Sequence, residues 1–338
     1  MVTQMMSRIG EQDWLAPLVK LARGENPGRQ LQIIHRAFLV PLLAFGLFLA
    51  LWSGAAARIE TSLGQVPGPA QVWQQAQGLL EEHRQERAKA EAFHERQRER
   101  NAARLAQDPG AEVTVRAYTG RPTFIDQVFT SLKTVATGFV IASLIAIPIG
   151  IACGLSPVLY NALNPLIQLF KPVSPLAWLP IVTLIVSAVY VSDDPMFPRA
   201  FVTSAITVTL CCIWPTIINT TVGVAGIDKD LLNVSRVLRL GWFTKVRRIV
   251  IPSAIPMMFA GLRLSLGIGW MVLIAAEMLA QNPGLGKFVW DEFQNGSSNS
   301  LGRIMVAVFA IGLIGFLLDR LMLGLQRWLS WDRNAVLR

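Results

Sequence analysis

Six stretches of the chain are apolar over about the ~20 residues that a bilayer core demands. They run over Phe38–Ala57, Val128–Leu155, Pro165–Tyr190, Ala200–Val222, Ser253–Ala280 and Ile304–Trp328. The pattern predicts an all-α membrane protein with six transmembrane helices. A polar segment, 58–127, separates the first run from the rest. Its middle, EEHRQERAKAEAFHERQRERNAARLAQ (81–107), has almost no apolar stripe. Glu81–Arg84, Glu86–Lys89 and Glu95–Arg98 are spaced to pair at i,i+3. This composition predicts a solvated helix or a partly disordered excursion, ended at Pro109–Gly110. The alternative is a docking site for an external partner. The expected division is therefore 1–37, the first span at 38–57, the charged loop at 58–127, a core of five spans at 128–328 with a polar loop near 226–252, and a tail at 329–338.

Short loops set the expected orientation. Arg8, Lys20, Arg23, Arg29 and Arg36 precede the first span. Lys229, Arg236, Arg239, Lys245, Arg247 and Arg248 lie between the fourth and fifth, and Arg327, Arg333 and Arg338 close the chain. The opposite loops hold only Arg199, Lys287 and Arg303. The basic side is the cytoplasmic side, which puts both termini inside and the long charged loop outside. The first 36 residues are too polar for a signal peptide. Trp52, Trp178, Trp214, Trp328 and Trp331 fall near proposed span ends, where indoles favour the headgroup zone.

Composition sharpens this picture. Hydrophobic residues are 52% of the 338 and charged ones 16%, and the mean hydropathy is +0.44. The net charge of +9 belongs to loops beside apolar runs, where anionic lipid favours it, so nucleic acid is not the expected partner. Cys153, Cys211 and Cys212 lie in or beside apolar segments without metal spacing and are expected as buried thiols. His83 and His94 are eleven residues apart, too far to form a metal site on one helix face, and are expected to be solvated. No catalytic constellation is present. No phosphate-binding loop is present either: PGLGKF has Gly-Lys followed by Phe, and Gln281 stands where the motif's first Gly belongs. No metal or cofactor is expected, and any ATP chemistry must come from another chain.

The loop between the fourth and fifth spans carries the sharpest local signal. Asp228 or Asp230 can cap a helix. Leu231, Val234 and Leu238 recur at i, i+3 and i+7, with Val237 widening the face. Arg236 and Arg239 fall off it, and Gly241 can take the left-handed end position. Such a face packs either on the chain's own spans or on a partner. The segment resembles the coupling loop of the integral-membrane permeases of ABC importers. Ser235-Arg236-Val237 stands where that family has Glu-Ala-Ala, Ile251-Pro252 replaces Leu-Pro, and Gly241 to Pro252 is shorter by two residues. GLRLSLGIGWMVLIAAEMLAQNPGLG (Gly261–Gly286) is similar to the subgroup that imports nitrate, nitrite, cyanate or bicarbonate, and more distantly taurine and alkanesulfonates. FVWDEFQNG (Phe288–Gly296) and IGLIGFLLDRLM (Ile311–Met322) resemble the nitrate branch. The resemblance covers roughly Thr123–Trp331 and, more loosely, the first span. The insert at 81–107 lies outside it.

The resemblance implies a type I importer fold and a homodimeric permease in a bacterial inner membrane. It implies two cytoplasmic ATPase subunits and a periplasmic solute-binding protein as partners. In that picture Asp230–Gly241 docks on the ATPase, with Leu231, Val234 and Leu238 supplying contact area, Arg236 a polar anchor, and Pro252 marking the return to the membrane. An anion crossing the core needs positive charge or donors. The candidates are Lys133, Lys171 and Arg263, each costing roughly 2.5–3.5 kcal/mol at a span centre. Trp178 sits beside Lys171 in FKPVSPLAWLP, where Pro172 and Pro175 break the helix as in cavity-lining segments. Glu277 is the acid of the fifth span, a gate or a partner to a donor on another helix. Gly261, Ser265, Gly267 and Gly269 form a close-packing surface, expected as a dimer or gating seam. A secondary transporter, a channel and a membrane-embedded enzyme are the alternatives. No internal duplication supports the first, and neither a filter sequence nor a catalytic set supports the others.

Overall fold

The computed structural model describes residues 28, 32–33, 35–61, 64–108, 113, 115–191, 195–297 and 299–329. The expectations placed on Arg8, Lys20, Arg23, Arg29, Pro109–Gly110, Trp331, Arg333 and Arg338 lie outside the described residues. The chain divides at Gln74 into two compact units.

The first unit holds a π-turn at His35–Leu39, helix α1 (Val40–Ala56) and the hairpin β1 (Glu60–Thr61) to β2 (Gly64–Gln65), with Glu60 opposite Gln65. Helix α1 is apolar but only 17 residues long. Helix α2 (Pro69–Gln107) begins here and continues into the second unit.

The second unit carries α3 (Phe124–Leu155), α4 (Pro157–Phe170), α5 (Pro175–Val189), α6 (Arg199–Ala225), α7 (Lys229–Val237), α8 (Trp242–Lys245), α9 (Ile251–Ala280), α10 (Leu285–Asn295) and α11 (Ser300–Leu329). Among the described residues four helices are long and apolar enough to cross a bilayer: α3, α6, the run from α8 through α9, and α11. The third expected span is broken at the prolines singled out in it. Pro165–Tyr190 is not one helix but α4 and α5 meeting at 98°. Pro172 and Pro175 cannot donate to a helical ladder, and Ser174 caps the new helix by accepting from Leu176 N.

The core of this unit is α6 packed between α3 and α9. Helix α3 places Gly138, Ala142, Ala146, Gly150 and Gly154 at every fourth position, so one stripe carries almost no side chain. A Cβ on Gly138 would stand 2.7 Å from Ala205 O, and one on Gly150 2.6 Å from Thr220 Cβ. Thr209 and Thr221 of α6 donate across this seam to the carbonyls of Gly138 and Gly150, at 3.1 and 3.2 Å.

Helix α9 mirrors the arrangement. Gly261, Ser265 and Gly269 face α6, where Ser265 Oγ meets Thr216 Oγ1 at 2.7 Å and also donates to Cys212 O. Gly261 sits against Asn219 and Pro215, and Gly269 against Cys212 Sγ. Gly261, Ser265 and Gly269, expected to form a dimer or gating seam, thus pack against α6 of the same chain. Gly267 points elsewhere, into open space. Cys153 and Cys212 are buried thiols and Cys211 is half-buried.

Of the two expectations for the charged insert, a solvated helix or a partly disordered excursion, the helix is found, and most of its residues are exposed. The insert is the continuous distal part of the 39-residue α2, and its side chains bind the start of α3. Thr123 and Asp126 form a reciprocal capping box there. His83 Nδ1 hydrogen-bonds Thr123 Oγ1 at 2.7 Å, and Arg87 pairs with Asp126. His83 is therefore engaged rather than solvated. Tyr118 donates to Glu86 at 2.7 Å, which holds the Glu86 carboxyl below its ordinary value and raises the Tyr118 phenol. Arg303 at the start of α11 bridges Glu82 and Glu292. Burial pushes the Glu292 carboxyl above its ordinary value, against the pull of the Ser300 hydroxyl.

The seam predicts a contrast between two glycines. Gly269→Val forces α9 off Cys212 at an overpacking cost of ~1–3 kcal/mol. It lowers the thermal unfolding temperature of the detergent-solubilised protein, while Gly267→Val leaves that temperature unchanged.

Candidate functional site

Two regions collect the residues singled out by the sequence: the bend between α4 and α5, and the segment from α6 to α9. At the bend, Lys171 and Trp178 are brought together. They line a cavity of about 350 Å³ with Ser174, Cys211, Trp214 and Asn219. Phe170 stacks on Trp214, ring centroids 6.0 Å apart, and lies 5.9 Å from Trp178. Trp178 and Trp214 therefore build the bend rather than mark span ends. Trp214 lies well inside the 27-residue α6. Among the described residues no carboxylate is within ion-pair distance of Lys171. An ammonium without a counter-ion, set among aromatic and small polar groups at an interrupted helix, can receive an anion.

The remaining charged candidates separate. Lys133 lies in another cavity, about 290 Å³, with Thr130, Thr134 and Ser204. Its Nζ rests 5.5 Å from the centre of the Phe201 ring. Arg263 is committed. Its Nε and Nη2 donate in parallel to the two carboxylate oxygens of Asp319 on α11, at 2.9 and 3.0 Å. This bidentate pair neutralises the charge expected to face an anion. Asp319 is the residue that the sequence reading missed. An acid inside the last apolar run was itself the signal for a basic partner on another span.

Of the two roles expected for Glu277, a gate or a partner to a donor on another helix, the geometry matches the partner. Glu277 is buried, accepts the Ser131 hydroxyl of α3 at 2.8 Å, and accepts Gly286 N at 3.0 Å. Ser131 Oγ in turn accepts from Leu285 N. Gly284 takes φ of 151° with its Cα against this carboxyl, where no Cβ fits. Asn282 closes the same turn by donating to Ser204 Oγ at 2.8 Å and to Ala200 O at 3.3 Å. The turn from α9 to α10 is thereby tied to both α3 and α6.

The segment from α6 to α9 has a two-faced helix at its centre. Asp228 caps α7 by accepting from Asp230 N at 2.9 Å. Leu232 packs on a buried cluster of Ile151, Val224, Ile227, Val246, Val250, Ala254 and Met258. Ser235 is buried and donates to Leu232 O. The expected apolar face points away from these. Leu231 is 45% exposed, Val234 50%, Leu238 63% and Val237 82%. Trp242 and Phe243 of α8 are exposed too. Arg236 reaches Asn233 at 3.1 Å. The left-handed end position belongs to Arg239, at φ 48°, and not to Gly241, which is extended. Leu240 N bonds Ser235 O and Arg239 N bonds Arg236 O, the pair of bonds that closes a Schellman end. Pro252 lies in the first turn of α9, within the continuous helical run Trp242–Ala280. The π-turn Val246–Val250 precedes it and widens the ladder where proline supplies no N–H.

Residues 146–331 match the model of the family described as binding-protein-dependent transport system inner membrane component. The nitrate import permease protein NrtB of Synechococcus elongatus is 38% identical over 204 residues, covering 60% of this chain and 69% of that one. The bicarbonate transport system permease protein CmpB of the same species is 40% identical over 204 residues, covering 60% and 68%. An inward-facing structure of the MetNI methionine ABC transporter shares the fold. Its TM-score is 0.52 at 14% identity, over 61% of this chain and 96% of that chain.

The Arg263–Asp319 pair yields a charge-balance test. Arg263→Met leaves Asp319 unpaired and destabilises the detergent-solubilised protein by on the order of 1–3 kcal/mol for a pair still partly exposed. Adding Asp319→Leu to the same chain restores much of the lost thermal stability.

Proposed function

Because the chain belongs to the family of binding-protein-dependent transport system inner membrane components, we propose that it is the permease subunit of an ATP-driven importer of a small inorganic anion, nitrate and also nitrite. The observation that carries the anion is Lys171, an ammonium with no carboxylate partner among the described residues, in a cavity at the bend between α4 and α5. Similarity to a nitrate import permease supports nitrate. Similarity of the same extent to a bicarbonate permease supports bicarbonate as the second reading. The solute-binding partner chooses between them, and the permease supplies a path for either.

In this reading two copies of the chain face each other across the path. Two ATPase subunits bind the cytoplasmic side, and a periplasmic binding protein delivers the anion to the other. The basic segment from Lys229 to Arg248 is cytoplasmic, both termini lie inside, and the membrane is the bacterial inner membrane. The exposed face of Leu231, Val234 and Leu238 enters the ATPase, with Arg236 and Asp230 at its rim. Force on that face passes through Leu232 and Ser235 into the buried cluster beneath α7. It then runs up α9, which α8 joins without a break.

Two experiments test this. Leu231→Asp with Arg236→Glu is expected to abolish co-purification of the ATPase while membrane insertion stays normal; an ATPase that still co-purifies removes the docking face. Uptake of labelled nitrate by cells lacking the chain is expected to return, in an ATP-dependent way, when the chain is restored. Lys171→Met then lowers uptake about tenfold, the size expected when one charge-assisted contact is lost. Uptake that follows bicarbonate instead moves the substrate to the second reading.

A further inference from the structure

Helix α4 carries a polar stripe that neither the fold nor the bend requires. Tyr160, Asn164 and Gln168 recur at i, i+4 and i+8, and Lys171 follows three residues on. At about 3.6 residues per turn the four fall on one face. Tyr160, Asn164 and Gln168 line a cavity of about 300 Å³ closed by Cys153, Thr221 and Ala225. Lys171 lines the cavity at the bend. Ile218 forms part of both walls, so the two spaces adjoin. From Lys171 to Tyr160 the stripe spans about 17 Å at ~1.5 Å per residue. Its far end lies beside Ala225, the last residue of α6, three positions before the Asp228 cap of α7.

The chemistry along the stripe is graded. Lys171 has a full charge and no carboxylate partner among the described residues. Gln168 Nε2 donates to Asn164 Oδ1 at 3.4 Å. That bond leaves the amide N–H groups of Asn164 and the hydroxyl of Tyr160 without a protein acceptor among the described residues. Tyr160, Gln168 and Lys171 are exposed and Asn164 is half-buried, so these donors are open to an entering ligand. A conduction path needs sites strong enough to admit an ion and weak enough to release it. One ammonium followed by neutral amide and phenol donors meets that need for an oxyanion whose charge is spread over several oxygens.

We propose that Lys171, Gln168, Asn164 and Tyr160 form a release ladder for a small oxyanion, running from the bend to the end of the bundle that carries α7. This inference rests on the importer reading above and adds its inner half. Because the ladder ends next to the start of α7, movement of that helix also moves the ladder's exit.

The test uses the complete transporter, with its ATPase and binding protein, in proteoliposomes and nitrate as the probe. Asn164→Leu/Gln168→Leu is expected to lower the maximal uptake rate about fivefold at an unchanged half-saturating nitrate concentration, the pattern of a lost late step. Asn164→Gln restores the rate. In a chain with Cys153, Cys211 and Cys212 replaced by Ala, Asn164→Cys is labelled by an anionic, membrane-impermeant thiosulfonate. Nitrate slows that labelling and glucose does not, and this readout stands even if the double variant assembles poorly. Full uptake by the variants together with labelling indifferent to nitrate and to bicarbonate overturns the ladder alone. Loss of the permease dimer in Asn164→Leu makes the stripe a subunit contact and also overturns it. Wild-type proteoliposomes that take up neither nitrate nor bicarbonate overturn the importer reading instead.

Discussion

Close backbone approach between α3, α6 and α9 is the constraint on which the rest of this molecule depends. Lipid tails are as apolar as leucine, so burying apolar side chains does not draw helices together inside a bilayer. What does so is packing at short range, and that requires side chains to be nearly absent at the contact. Five small residues at every fourth position of α3, and Gly261, Ser265 and Gly269 on α9, meet this need on both sides of α6. The threonines of α6 then donate to the buried carbonyls of Gly138 and Gly150 across the gap. With α6 fixed in this way, Trp214, Pro215, Ile218 and Asn219 become a rigid wall, and the bend of α4 and α5 has something firm to stand against.

The polar groups within the bundle fall into two kinds. Glu277, Arg263, Asp319 and Asn282 are satisfied by partners on other helices. Each ties one span to another at a place where an unmatched group would be costly. Among the described residues Lys171 and the α4 stripe have no such partners on other helices, and they line open cavities. Partner geometry therefore separates structural from functional polar residues, although both kinds sit in similar apolar sequence. Lys133 is intermediate, resting on an aromatic ring rather than on a carboxylate.

The connection from α6 to α9, residues 226–250, joins two mechanical requirements. One face of α7 is held by the bundle through Leu232 and Ser235, and the other is apolar and uncovered. A helix anchored on one side and greasy on the other passes a push into the spans without being torn from them. On the remaining surface, α2 braces the starts of α3 and α11 through Arg87, His83 and Glu82. The insert outside the family resemblance thus belongs to the same body as the spans that it touches.

The apolar runs, the basic loop and the Gly261–Gly286 motif were enough to establish an all-α membrane protein and its resemblance to importer permeases, because length, hydropathy and local spacing are written residue by residue. The amphipathic face of α7 and the interruption at Pro172 and Pro175 were legible for the same reason. What pairs across space was not. Sequence spacing could exclude Glu277 as the partner of Arg263 within one helix, yet it could not supply Asp319, fifty-six residues away. It could mark Gly261, Ser265 and Gly269 as a close-packing stripe, but only the fold decided that α6 of the same chain fills it. Gly241 looked like the left-handed helix end until the Schellman bonds placed that position at Arg239. His83 looked solvated until α2 came back against Thr123. Each difference has one physical cause: periodicity determines which face of a helix a residue occupies, and only tertiary packing determines what that face meets.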